Sequence, residues 1–189
     1  MEWQDYKSKI KDAIGRGDMD EAEALLIDAI EYLKNHNGTV ERITVCFDQL
    51  GWIHIGRKEF VKANERYLQA LELKLDALGE DHPIVGRAYK ILATVAYMME
   101  DFENAEKYGK EALNNVKNSL GLNDPETQQT QKDLAELLRR LNRNVEADII
   151  ESSGQDKPSR PREMVQTFLK ITICQTCEGP YDGDACPRC

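Results

Sequence analysis

Nowhere in its 189 residues does this chain carry an apolar run near the roughly 20 residues that cross a bilayer. A membrane-spanning helix is excluded on that ground. Its first residues, Glu2, Trp3, Gln4 and Asp5, lack the basic-then-apolar order of a secretory leader, so a cytoplasmic, reducing setting is the expectation. Aromatic residues are scarce at 7%, whereas 31% of positions are charged and 41% hydrophobic. That mixture fits a soluble helical protein with ion pairs across its surface. The formal charge of −9 repels phosphate backbones, which argues against nucleic acid as a partner. Histidine is rare as well, with three in the chain. His54 falls at a packing position, His82 precedes Pro83 in a turn, and His36 lies near Gly38 at a helix end. No Gly-rich phosphate loop, nucleophile elbow or metal-hydrolase helix is present, so an enzyme is not expected. Cys46 stands alone and reads as a small core residue.

What the chain does have is a repeat. At an offset of forty-two positions Leu50 falls on Leu92 and Leu134, Phe60 on Phe102, and Ala63 on Ala105 and Ala147. Ala70-Leu71 falls on Ala112-Leu113, Leu78-Gly79 on Leu120-Gly121, and Pro83 on Pro125. Each period reads as two antiparallel helices. Pro83 and Pro125 suit the first helical position, where a missing amide costs little. Asp124 is a good N-cap and His82 a weaker one. Alanines at 63, 70, 105 and 112 let helices approach, and Leu50, Phe60, Tyr67, Leu92 and Phe102 are expected to fill the space between them. A weaker first copy places Met19, Ala22, Leu26 and Ala29 at the positions of Phe60, Ala63, Tyr67 and Ala70, one residue short of the period. The last copy has Asn144 in place of the aromatic and stops near Ser152.

These residues resemble the tetratricopeptide repeat, in the longer form found in kinesin light chains and many bacterial proteins. The motif Leu78-Gly79-Glu80-Asp81-His82-Pro83, followed by Asp101-Phe102-Glu103-Asn104-Ala105-Glu106, carries the likeness, which covers about residues 3–152. The resemblance implies an all-α, right-handed solenoid of about four helical hairpins over residues 1–152, the last one incomplete. It also implies that the first helix of each pair lines a concave face that contacts peptides. Carried over by repeat spacing, that face holds Lys7 and Lys11, then Trp52, then Arg87, Lys90 and Tyr97, then Lys132, Arg139 and Arg140. Lys and Arg dominate this set, which points to an acidic or carboxylate-bearing protein segment. Some relatives grip a C-terminal carboxylate with a Lys-Asn-Asn-Lys-Arg set. Here Lys7 and Arg87 fit, but Lys11, Gln49 and Ile91 occupy the other places, so that specificity is not expected.

Residues 153–163 are polar, with Gly154, Pro158 and Pro161, and read as a linker. Residues 164–189 form a tail. Alternation of Val165, Thr167, Leu169, Ile171 and Ile173 favours a strand over a short capping helix. Cys174-x2-Cys177 and Cys186-x2-Cys189 follow, the ligand set of a tetrahedral, structural zinc with no position open for a catalytic water. Clustering of thiols in a reducing compartment argues for metal over disulfides, and zinc ahead of iron. The pair of knuckles resembles a minimal zinc ribbon. The expected function is therefore a protein-binding adaptor with a zinc-stabilised tail. The alternative is a metal- or thiol-responsive regulator whose tail controls partner binding. Association with further copies of the chain stays open at this stage.

Overall fold

The computed structural model describes residues 2–152 and, beyond them, the backbone of residues 171–173 and 180–182. Among the described residues the period resolves into eight helices. They are α1 (Trp3–Arg16), α2 (Met19–Asn35), α3 (Val40–Gly56), α4 (Phe60–Leu78), α5 (Pro83–Met98), α6 (Phe102–Leu120), α7 (Pro125–Arg140) and α8 (Asn144–Ser152). Each helix packs chiefly on its neighbours in the chain, the arrangement of a solenoid.

The turn inside each hairpin is the same turn four times. Gly17, Lys58, Glu100 and Asn142 hold φ of 76°, 59°, 59° and 61°. The amide that follows each one reaches back five residues, Asp18 to the Ala13 carbonyl, Glu59 to His54, Asp101 to Ala96 and Arg143 to Leu138. These bonds occupy carbonyls that the end of a helix would otherwise leave bare. Side chains cap several of the helix starts, although Thr39 before α3 makes no such bond. Asp18, Asp101 and Asp124 side chains accept the amides of Glu21, Asn104 and Glu126, and His82 accepts that of Ile84. Pro83 and Pro125 open α5 and α7. Gly79 and Gly121 close α4 and α6 with φ of 79° and 87°, backbone that a side chain disfavours.

Packing is small against large. Gly51 on α3 lies under the ring of Tyr67 on α4, where a Cβ would come within 2.6 Å of two ring atoms. Leu50 and Leu92 are fully buried. Phe102 corrects the sequence reading: it is 40% exposed and rests against Tyr97 at the surface, with ring centroids 5.8 Å apart. It heads α6, outside the turn that its neighbours bury. Cys46 is buried, and burial pushes its thiol up to about 11, so it is an inert apolar residue.

Residues 155–189 form a second unit. In it β1 (Ile171–Ile173) and β2 (Pro180–Asp182) pair antiparallel, with Ile171 opposite Asp182 and Ile173 opposite Pro180. β1 is the last part of the expected strand; residues 165–170 lie outside the described residues, as do Cys174, Cys177, Cys186 and Cys189. No described helix is long and apolar enough to cross a membrane.

The Gly51 contact sets two effects against each other. Alanine gains about 1 kcal/mol of helix propensity over glycine, but here its methyl meets the Tyr67 ring. Gly51→Ala is expected to lower the free energy of unfolding by about 1–3 kcal/mol in urea titrations. In a Tyr67→Ala background the same change should cost nothing. A stabilised single variant would mean that the ring moves aside freely.

Candidate functional site: the face formed by the first helices

The first helices of the hairpins are α1, α3, α5 and α7, and each buries one side against its own partner helix. On α3 the exposed side carries Val45 and Trp52, with Trp52 at 53% exposure. On α5 it carries Ile84, Ile91 and Met98, all exposed and spaced by seven residues, beside Arg87 and Thr94. Sequence reasoning passed over this second stripe. The signal was there: the core side of α5 is already supplied by Val85, Ala88, Leu92 and Val95, so a seven-residue apolar series beside it is surplus to that core.

The predicted cations do not share one environment. Lys7 and Lys11 stay exposed on α1, with no carboxylate holding them among the described residues. Lys132 is likewise exposed on α7. The other four are partly or fully exposed but paired within the fold. Arg87 makes a two-pronged pair with Glu126, Nε and Nη2 each 2.8 Å from a carboxylate oxygen. Lys90 Nζ lies 2.6 Å from Asp133. The Arg140 guanidinium donates to the Tyr97 hydroxyl at 2.9 Å and to Glu136 at 2.7 Å, and it lies 5.5 Å from the Tyr97 ring centroid. Three links thus stitch α5 to α7. Arg139 turns the other way, to Glu151 at 2.8 Å and Asp148 at 3.1 Å on α8, so it does not join Arg140. Asp48 on α3 is also engaged, taking both its bonds from Lys74 of α4 at 2.8 and 2.9 Å.

Lys90, Tyr97 and Arg140 are brought together around one cavity of about 250 Å³ that opens between α5 and α7 over α6. Its floor and walls are apolar, from Ala93, Gly109, Ala112, Leu134 and Leu137, and Asp133 and Glu136 complete its rim. Trp52, Arg87, Lys132 and Arg139 lie outside it.

His54 takes the slot filled by Ala13, Ala96 and Leu138 in the other hairpins. It is 1% exposed, bonds Glu59 through Nδ1 at 2.8 Å, and has Glu23 at 3.9 Å on the side of Nε2. Arg57 pairs with Glu23 and Asp20, closing a network that joins α2 to α3 and α4. His36 bonds the Tyr32 carbonyl at the end of α2. Neither histidine lines the cavity between α5 and α7.

With this geometry in place, comparison with known proteins identifies the repeats. Residues 58–118 and 85–150 match the family model described as the tetratricopeptide repeat, so that stretch carries tetratricopeptide repeats. BtubC (BKLC) from P. vanneervenii superposes with a TM-score of 0.63 at 21% identity, covering 88% of this chain and 68% of that one. The nearly identical TPR-like repeats described as those of a Podosopora anserina kinesin light chain give 0.64 at 14% identity, covering 88% and 75%. The apo form of RapI gives 0.69 at 12% identity, over 80% of this chain and 41% of RapI. Identities this low show the fold. No curated protein matches the chain in sequence.

The α5–α7 links have a pH signature. The Arg87 guanidinium holds the Glu126 carboxyl below the usual range, and Lys110 and Arg143 do the same for Glu106. A carboxyl depressed in the folded state stabilises fully above its unfolded value near about 4.3. That contribution fades as pH falls through the lower, folded value. The melting temperature should therefore hold steady from neutral pH to about 5 and drop below about 4. Arg87→Gln should make that acid limb shallower; an identical limb would place the acid sensitivity elsewhere.

Proposed function

We propose that this protein is an adaptor that holds a segment of another protein on the concave face lined by α1, α3, α5 and α7. The observation that carries the reading is the exposed apolar set on α3 and α5: Val45, Trp52, Ile84, Ile91 and Met98. Large apolar side chains grouped on one face of a repeat solenoid are what a partner covers. Tetratricopeptide repeats and the tetratricopeptide-like neighbours support a protein-interaction role over catalysis. An acidic segment fits best beside α1, where Lys7 and Lys11 are uncommitted, because Arg87, Lys90 and Arg140 already hold carboxylates. Lys132 offers a second contact on α7.

The tail is proposed to hold zinc through Cys174, Cys177, Cys186 and Cys189. What supports this is the sequence spacing, two Cys-x2-Cys pairs that together offer four thiolates. Four thiolates fill a tetrahedral zinc, so the ion would fold the tail and perform no chemistry there. A cytoplasmic, reducing location suits both halves of the chain.

Once a partner is captured from the native cell, Trp52→Ala should weaken it by at least about tenfold. Lys7→Glu with Lys11→Glu should slow association and flatten its salt dependence. Unchanged binding in both variants would sink the adaptor reading on this face. For the tail, purified protein should contain about one zinc per chain, lost in Cys174→Ser/Cys186→Ser. Absence of metal from the unmutated chain refutes the site. Partner affinity that survives chelation makes the zinc structural, whereas affinity that collapses favours the metal-responsive alternative.

A further inference from the structure

Gly51 and Ala93 occupy one repeat position, and Tyr67 and Gly109 occupy another. In the second hairpin the two members meet: the Tyr67 ring covers Gly51 and is 6% exposed. In the third the large member is missing. Ala93 faces a helix that offers only the hydrogen of Gly109, and the cavity of about 250 Å³ lies there. A Cβ at residue 109 would meet Leu134 Cδ1 at 2.9 Å, so that leucine leans in without closing the space. The buried apolar cluster that contains Tyr67 and Leu92 also stops short of the one that contains Leu134 and Leu138. The third hairpin therefore lacks the ring that Tyr67 supplies in the second and keeps room for one.

We propose that this cavity seats one aromatic side chain, phenylalanine or tyrosine, of the bound protein segment, standing in for the aromatic that the repeat lacks at Gly109. The inference deepens the adaptor reading and rests on it. Size favours a ring, since apolar cavities of roughly 150 Å³ already hold benzene. The chemistry of the walls agrees. Thr94 and Thr130 donate their hydroxyls to their own helices, to the Lys90 and Glu126 carbonyls at 3.0 and 2.8 Å, and so have no proton left for a polar guest. At the mouth Lys90 and Arg140 are balanced by Asp133 and Glu136, which gives a charged side chain no advantage. The Arg140 guanidinium, already stacked near Tyr97, can face a second ring as well.

The test uses the full chain labelled with nitrogen-15 and titrated with N-acetyl-phenylalaninamide, N-acetyl-tyrosinamide and N-acetyl-alaninamide. The aromatic amides should shift the backbone signals of Ala93, Gly109 and Thr130 saturably, and the alanine compound should bind at least about tenfold more weakly. Gly109→Tyr, which refills the space, should abolish those shifts while circular dichroism stays helical. Should that variant fail to fold, Ala93→Leu fills the cavity from the opposite wall and must give the same loss. Absence of saturable shifts, or shifts that survive a filled cavity, overturns the proposal. If the amides fail to bind but Trp52→Ala still releases the partner, only the aromatic seat falls. If they bind while the partner ignores changes across the first-helix face, the adaptor reading falls instead.

Discussion

The close approach of two helix backbones at one alanine per hairpin is the constraint on which the rest of this structure depends. Ala22, Ala63, Ala105 and Ala147 are all 0% exposed, and each sits near the start of the second helix of its hairpin. A larger side chain there would drive the helices apart, because a packed interior has no slack for added methylenes. The same closeness explains the turns. Lys58, Glu100 and Asn142 adopt left-handed backbone that costs a residue with a side chain roughly 1–2 kcal/mol. Such a conformation persists where the surrounding packing over-determines it.

A backbone repeated so closely makes each hairpin differ only by what stands in equivalent slots. His54 replaces Ala13, Ala96 or Leu138 and brings a carboxylate network with it. Val45 on α3 becomes Arg87 on α5, and Trp52 becomes Thr94. The first-helix face thus changes along the solenoid from free lysines on α1, through apolar side chains on α3 and α5, to paired charges between α5 and α7. Exposed pairs contribute about 0–1 kcal/mol each. Their larger effect is to fix which cations remain for a partner.

What could be read from the sequence is what the period repeats. The hairpins, their caps at Asp124 and His82 and the buried His54 all follow from positions that recur. Phe102 was misplaced because recurrence shows equivalence to Phe60 but not burial, and Phe60 is itself only half-buried. Charge pairing was invisible for a different reason. Arg87 and Glu126 are 39 residues apart, and nothing local says that the two side chains meet. Arg139 and Arg140 are adjacent in sequence, yet a step of one residue on a helix turns them to α8 and α5 respectively. Gly109 escaped notice because attention to a period favours what recurs over what drops out.

Glycine at 109 also runs against the energetics of its surroundings. It stands inside the helix Phe102–Leu120, where it costs roughly 1 kcal/mol relative to alanine, and it forfeits the contacts that an aromatic ring would make there. Neither loss is offset by a conformational need, since residue 109 is not among the glycines with positive φ. Nor is close approach of backbone the reason, because the nearest atom to its missing Cβ is the end of a leucine side chain. Two of the three links from α5 to α7, Lys90 with Asp133 and Arg140 with Tyr97, bridge this same gap, and they lie on its rim rather than across its floor. They hold the two walls in register while leaving the space between them open. A stability defect braced from outside in this way is the arrangement a preformed binding pocket requires, because walls that collapsed inward would have to be reopened by the ligand.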